Sequence, residues 1–174
     1  GLSALLLGAT GAAGSLLLQE VLASPAFTRV GEYGRRVTSS EKIAAGRDKL
    51  EQKIIDYEKI EMMGLKEGRW DVIFITLGVS IMLAESPEHF ERVDREYVVN
   101  AARAAKSEDP SHKQRIVYIS AMYANPASFI FYLRSKAATE IELAQLGYSD
   151  TIIVRPGMFG KVHREVVRPM EVVL

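Results

Sequence analysis

Tyr132 and Lys136 are a pair of residues whose types and spacing suit proton transfer. They form a Y-x-x-x-K pattern in a segment of helical composition, and residues four apart share one face of a helix. An ammonium group beside a phenol lowers the phenol pKa from about 10, which prepares it to act as an acid or base near neutral pH. The pattern alone is weak, because such pairs more often lie on a protein surface. Whether the pair is catalytic therefore depends on the strand and helix that carry it and its neighbours.

Ser120 supplies a hydroxyl group ahead of this pair. It ends the apolar run RIVYIS, which predicts a buried strand over residues 115–120. A helix predicted over residues 131–146 follows after a loop and carries Tyr132 and Lys136. The sequence thus predicts a catalytic group of Ser120, Tyr132 and Lys136, in which the Ser120 hydroxyl holds a substrate carbonyl.

A second group of residues is typical of phosphate binding. Gly8, Gly11 and Gly14 follow an apolar run near the N-terminus, in the sequence GATGAAG. The residues before them predict a strand and those after them a helix, so the turn would present unpaired backbone N–H groups to a pyrophosphate. The spacing is G-x-x-G-x-x-G, not the commoner G-x-G-x-x-G, and an ordinary tight loop is the alternative.

Two arginines stand where the ribose of a bound nucleotide would lie. Arg35 and Arg36 follow Gly34, at the end of a weak strand predicted over residues 27–33. At this position a carboxylate selects NAD, whereas arginines accept the 2′-phosphate of NADP. The pair therefore favours NADP(H) over NAD, with a solvated basic pair as the alternative. Glu32 lies earlier in the strand and is less well placed.

The composition narrows the class of protein. The 174 residues are 48% hydrophobic, which allows one good core and predicts a single domain over residues 1–174. Basic and acidic residues number 22 each, so no net charge favours nucleic acid. The chain has no Cys and 3 His, which excludes disulfides and argues against a metal site. No apolar run approaches the roughly 20 residues that a membrane-spanning helix requires. We also expect the natural chain to continue into a further substrate-binding region.

Strands and helices alternate along the chain. The predicted strands cover residues 4–7, 27–33, 53–57, 70–78, 115–120 and 151–155. Helices are predicted directly after the glycine turn, near residues 62–65, over 88–106 and over 131–146. This alternation predicts an α/β fold, a Rossmann-type doubly wound parallel sheet in three α/β/α layers. Ligands of such sheets bind at the carboxyl ends of the strands, where the residues above should meet.

Several motifs together resemble a known family. GATGAAG, TLG, YIS, YLRSK and IIVRPG look like the short-chain dehydrogenase/reductase superfamily in its extended or atypical form. GRR, IIDYEK, FERVDREYV and FYLRSKAATEIEL are similar to the Tat-interacting-protein (metastasis-suppressor) family and its fungal relatives associated with the mitochondrial outer membrane. The resemblance covers nearly the whole chain. It implies NADP(H), possible protein partners and an intracellular location, either cytoplasmic or peripheral on the mitochondrial outer membrane.

The resemblance also implies which residues bind the cofactor. Asp56 would meet adenine, although an Asp there is as readily a turn or N-cap residue, and Tyr132 and Lys136 would face the nicotinamide ribose. The full implied set runs along the carboxyl edge of the sheet: Gly8, Thr10, Gly11, Ala12, Ala13, Gly14, Arg35, Arg36, Asp56, Tyr57, Leu77, Gly78, Val79, Tyr132, Lys136, Pro156 and Gly157.

One departure from the family pattern leaves two hypotheses open. The superfamily's catalytic serine is usually the second of a Ser-Ser pair; Ala121 occupies that place here, and Ser120 matches the first. The chain is therefore an NADP-dependent oxidoreductase on an unknown small carbonyl or alcohol, or a non-catalytic NADPH-binding regulatory or protein-interaction module. A Rossmann-like domain without a nucleotide is disfavoured, because three nucleotide-related motifs coincide.

Overall fold

A computed structural model describes residues 1–79 and 84–157, and within them it shows one six-stranded parallel sheet. The strand order is β3-β2-β1-β4-β5-β6, so the sheet winds outward from β1 in both directions. This is the predicted doubly wound Rossmann topology. The strands are β1 (Leu2–Leu7), β2 (Phe27–Gly34), β3 (Leu50–Ile54), β4 (Val72–Ile75), β5 (Arg115–Ile119) and β6 (Asp150–Val154).

Helices cover both faces of the sheet. They are α1 (Ala12–Ala23), α2 (Pro87–Glu91), α3 (Tyr97–Ala105) and α4 (Phe131–Ala144), with a π-helical segment, Arg92–Glu96, between α2 and α3. Side chains alternate across a strand: Ala4 and Leu6 of β1 pack with α1, whereas Leu5 and Leu7 pack on the side of α3 and α4. The result is the predicted three-layer arrangement.

Three predicted elements differ from the structure. The third strand is Leu50–Ile54 rather than residues 53–57, because the chain leaves the sheet after the Ile55 N–H donates to the Gly34 carbonyl. The short helix near residues 62–65 is replaced by 3₁₀ turns at Tyr57–Met62 and Lys66–Gly68, and Gly64 between them has a φ of 74°, outside the helical region. The long helix over 88–106 is divided by the π segment.

The remaining element boundaries lie close to those predicted. Most strands differ at their ends by one or two residues, which is the usual uncertainty of such boundaries, whereas β4 is confined to the centre of its predicted range. Among the helices in residues 1–79 and 84–157, none has both the length and the apolar character that crossing a bilayer requires.

Candidate functional site

The glycine turn joins β1 to α1 and lies against the end of β4. Gly8 has a φ of 92°, and a Cβ there would lie 2.8 Å from the Leu77 backbone nitrogen. A Cβ at Gly14 would lie 2.1 Å from the Gly8 carbonyl oxygen. Gly11 is exposed, and its nearest contact would be the Gly8 oxygen at 3.3 Å, which a slight shift relieves. Packing thus requires glycine at 8 and 14, whereas at Gly11 it leaves the backbone open to an approaching ligand.

The N-terminus of α1 faces this open backbone. Gly11 is the N-cap, and within the described residues no side chain caps the helix and no acidic residue lies in its first turn. The first N–H groups of a helix have no partner inside the helix, and the helix dipole makes them attractive to anions. The backbone at Ala12 and Ala13 therefore fits a phosphate group, and Thr10 is exposed beside it.

Arg35 and Arg36 are exposed at the end of β2 and line the same cavity as the glycine turn. This cavity measures about 150 Å³ and is bounded by residues 8–11, 34–36, 57 and 76–78. Glu32, the alternative ribose ligand, is buried. Its carboxylate accepts hydrogen bonds from the Thr38 N–H at 2.8 Å and from Gln52 Nε2 at 2.7 Å. Glu32 thus fixes the loop after the two arginines and leaves them at the cavity.

Asp56 and Tyr57 follow β3 at the far side of this cavity. Asp56 Oδ1 accepts a hydrogen bond from the Glu58 N–H at 3.0 Å, so Asp56 is the N-cap of a 3₁₀ turn, one of the two alternatives left by the sequence. Tyr57 is buried and stacks on Tyr97, with 5.4 Å between ring centroids. Burial raises the pKa of Tyr57, and Arg35 opposes this only in part. The Tyr57 hydroxyl is therefore neutral at physiological pH.

Tyr132 and Lys136 lie one turn apart on α4. Lys136 Nζ is 5.8 Å from the centroid of the Tyr132 ring, and Tyr132 itself is half-buried against Phe90. Lys136 is only 4% exposed. Its ammonium lies 3.1 Å from Asp94 Oδ2 and donates to the Tyr118 hydroxyl at 3.1 Å. The predicted neighbours are thus together, but the lysine already has two buried partners.

Asp94 is a buried neighbour of Lys136 that the sequence did not identify. It lies in the π segment, is fully buried, and has a pKa raised by that burial, which the Lys136 ammonium offsets only in part. A signal was present, because Phe90, Asp94 and Val98 are spaced four apart on the predicted apolar face of one helix. A carboxylate on such a face needs a buried partner. π-helical distortions are frequent at functional sites.

Ser120 lies directly after β5, as predicted, and its hydroxyl has a partner. Its buried hydroxyl donates to Glu140 Oε1 at 2.5 Å, and the Arg155 guanidinium binds both oxygens of the same carboxylate. Ala121 beside it has no hydroxyl. That Ser120 holds a substrate carbonyl stays a prediction, and its hydroxyl would have to leave Glu140 to do so. In this structure the hydrogen bond links the end of β5 to α4.

The last predicted contacts lie after β4 and β6. Gly78 is exposed, and a Cβ there would lie 3.1 Å from Asp94 Oδ1 and 3.7 Å from Lys136 Nζ, which places the turn containing Leu77, Gly78 and Val79 next to the lysine. Pro156 accepts a hydrogen bond from the Met122 N–H at 3.2 Å, so Pro156 and Gly157 meet the loop after β5. Residues 80–83, which follow this turn, lie outside the described residues.

Solved structures share this fold. A short-chain dehydrogenase from Burkholderia cenocepacia J2315 in complex with NADP has a TM-score of 0.69 at 20% identity, over 97% of this chain and 78% of that chain. The UDP-glucuronic acid 4-epimerase from Bacillus cereus in complex with NAD has a TM-score of 0.68 at 14% identity, over 90% and 56% of the two chains. The fold is therefore the Rossmann-type fold of short-chain dehydrogenases and sugar-nucleotide epimerases.

Sequence similarity to curated proteins identifies the family of this chain. Protein HTATIP2 from Rattus norvegicus is 31% identical over 169 residues, which cover 97% of this chain and 67% of that protein. The mitochondrial protein fmp52 from Aspergillus fumigatus is 33% identical over 180 residues, covering 97% and 71%. FMP52-2 from Scheffersomyces stipitis, also named mitochondrial, is 34% identical over 158 residues, covering 89% and 65%. No family model matches the chain.

The chain belongs to the family of HTATIP2 and the fungal FMP52 proteins. This confirms the resemblance of its motifs. It spans about two thirds of the length of these relatives.

Proposed function

We propose that the chain binds NADP(H) at the carboxyl edge of its sheet and acts as an oxidoreductase on a small carbonyl or alcohol. The observation that carries this proposal is the single cavity shared by the glycine turn with Arg35 and Arg36. A pyrophosphate would meet the backbone at residues 8–14, and a 2′-phosphate would meet the two guanidinium groups. NAD is the less favoured cofactor, since the buried Glu32 carboxylate is already bonded to Thr38 and Gln52.

We assign the other site residues to successive parts of the cofactor along this edge. Asp56 and Tyr57 would flank the adenine, Leu77, Gly78 and Val79 the middle of the cofactor, and Pro156 and Gly157 the carboxamide. When bound, the nicotinamide supplies or accepts a hydride. Tyr132 would give a proton to the substrate oxygen or take one from it, and Lys136 would orient the ribose.

A carbonyl-reduction assay tests the catalytic half of this proposal. Wild-type protein is incubated with NADPH and a panel of aldehydes and ketones, and NADPH oxidation is followed by absorbance. Tyr132→Phe should lower turnover by about 10²-fold or more, the usual contribution of a positioned acid or base. Tyr123→Phe is the matched control, because Tyr123 is a 73% exposed tyrosine in the loop after β5. Equal turnover in wild type and Tyr132→Phe would contradict the proposed role.

A second candidate function is a non-catalytic NADPH-binding regulatory or protein-interaction module. One observation favours it: the Ser120 hydroxyl is bonded to Glu140, and Ala121 has no hydroxyl to replace it. This candidate predicts NADPH binding without turnover on the carbonyl panel, and partner binding that does not change in Tyr132→Phe. The same panel therefore separates the two functions.

A location is proposed from the relatives alone. The fungal relatives are named mitochondrial, and we propose that this protein associates peripherally with the mitochondrial outer membrane. Fractionation of cells expressing the tagged protein, followed by an alkaline carbonate wash, tests this. Release of a mitochondrial pool by the wash supports it, whereas a wholly cytosolic protein contradicts it.

A further inference from the structure

Lys136 can donate three hydrogen bonds. One goes to the Tyr118 hydroxyl, and an ion pair with Asp94 holds the ammonium on a second side. Asp94 Oδ2 and the Tyr118 hydroxyl each lie 3.1 Å from Nζ. Both partners are fully buried, one in the π segment and the other in β5. Because neither partner can move without disturbing the core, together they hold the ammonium in place and leave it N–H groups for a further partner.

Tyr118 is suited to be an acceptor for this ammonium. Burial raises the pKa of its phenol well above 10, so the group remains a neutral hydroxyl. Its phenol oxygen accepts the hydrogen bond from Lys136 Nζ at 3.1 Å.

One side of the buried ammonium lies next to the turn after β4, at the binding edge of the sheet. The nearest feature there is Gly78, at which a Cβ would lie 3.7 Å from Nζ, and Gly78 is itself exposed. No side chain at position 78 separates Lys136 from the turn after β4. A ligand lying against that turn would come within reach of a remaining Lys136 N–H.

We propose that Tyr118 is a positioning residue, which acts with Asp94 to aim the remaining Lys136 N–H at the ribose of a nicotinamide nucleotide. This inference rests on the proposed function, since it assigns the ligand of Lys136. The sequence pattern predicts only that Tyr118 belongs to the strand RIVYIS, and it assigns this residue no function. The alternative is a tyrosine that contributes only to the stability of the core.

Two ligands and two variants distinguish these alternatives. Tyr118→Phe keeps the ring and removes the hydroxyl. Tyr148→Phe is the matched control, because Tyr148 is also buried and its hydroxyl donates to the Ala102 carbonyl oxygen at 2.5 Å. The ligands are NADPH and adenosine 2′,5′-bisphosphate, which has the adenine and 2′-phosphate but lacks the nicotinamide ribose. Affinities are measured by calorimetry.

Tyr118→Phe should bind NADPH about tenfold more weakly, the size of one hydrogen bond to a charged group. It should bind the bisphosphate as wild type does, and Tyr148→Phe should bind both as wild type does. Unchanged NADPH affinity in Tyr118→Phe, or equal weakening of both ligands, would overturn the inference. If Tyr118→Phe does not fold, Asp94→Asn, which removes the other group that holds Lys136, replaces it with the same expectation and the same contrary result. Wild-type protein that binds neither ligand would instead refute the proposed function.

Discussion

Replacing Gly14 with alanine adds one methyl group where α1 passes the end of β1. Inside an ordinary helix this change stabilises a protein by roughly 0.5–1 kcal/mol, because glycine loses more conformational entropy on folding. Here the new Cβ would lie 2.1 Å from the Gly8 oxygen, 2.6 Å from Thr76 Oγ1 and 2.8 Å from the Ala9 Cα. Two of these three atoms belong to the backbone, so they cannot move aside as a flexible side chain would.

The magnitude follows from these contacts. Overpacking of this kind costs about 1–3 kcal/mol, and contacts this short place the cost at the upper end. After subtraction of the helix gain we expect Gly14→Ala to lower the free energy of unfolding by about 2 kcal/mol, which is about 4–8 °C in Tm for a chain of this size. Gly11→Ala is the matched control, since its φ of −78° and ψ of 174° suit alanine.

Thermal and urea unfolding of both variants measures the difference. Gly11→Ala should stay within about 0.5 kcal/mol of wild type, while its NADPH affinity falls because the methyl group occupies the approach to the backbone. Gly14→Ala should be the less stable of the two. A Gly14→Ala variant as stable as wild type, or more stable, would refute the packing argument for the glycine turn.

Three further predictions concern charge and exposure. Asp94→Ala leaves the Lys136 ammonium buried without its counter-ion, so urea unfolding should show a loss of about 3–5 kcal/mol; adding Lys136→Met should recover part of it, and no recovery would argue against the pair. The pKa of the Asp71 carboxyl is raised by burial but lowered more strongly by the Ser3 donors, and its net shift is downward. The stabilisation from this shift is therefore fully present above the unfolded pKa of about 4 and is lost as the pH falls through the folded pKa. When the free energy of unfolding is measured against pH, Asp71→Asn should lose less stability at acid pH than wild type does. An equal loss in both proteins would contradict this. Phe129 is fully exposed, and Phe129→Ser should leave the Tm unchanged, whereas a lower Tm would show that this side chain packs in solution.

Much of the fold was predictable because its signals are local. The apolar run before Gly8 and the run VIFI in β4 are continuous, as buried parallel strands require, and the structure contains both. The third strand was misplaced because it is an edge strand with mostly exposed side chains, so the apolar Ile54 and Ile55 after its centre gave a stronger signal than the strand itself.

The candidate site was predictable in its backbone parts and less so in its side-chain partners. The glycine turn and Arg35 with Arg36 are contiguous in sequence, and they share a cavity. The partners of Lys136 and Ser120 are not contiguous with them: Asp94 lies 42 positions before Lys136, and Glu140 lies 20 positions after Ser120. Spacing along one helix cannot reveal a partner on another element, so only the fold could bring these groups together.

The central claim is that this edge binds a phosphorylated dinucleotide through Arg35 and Arg36. The most direct measurement is a titration of NADPH and NADH into wild type, Arg35→Ala and Arg36→Ala, followed by fluorescence or calorimetry. We expect tighter binding of NADPH than of NADH in wild type, and loss of that preference when the arginines are removed. Equal affinity for the two nucleotides in wild type, or no binding of either one, would contradict it.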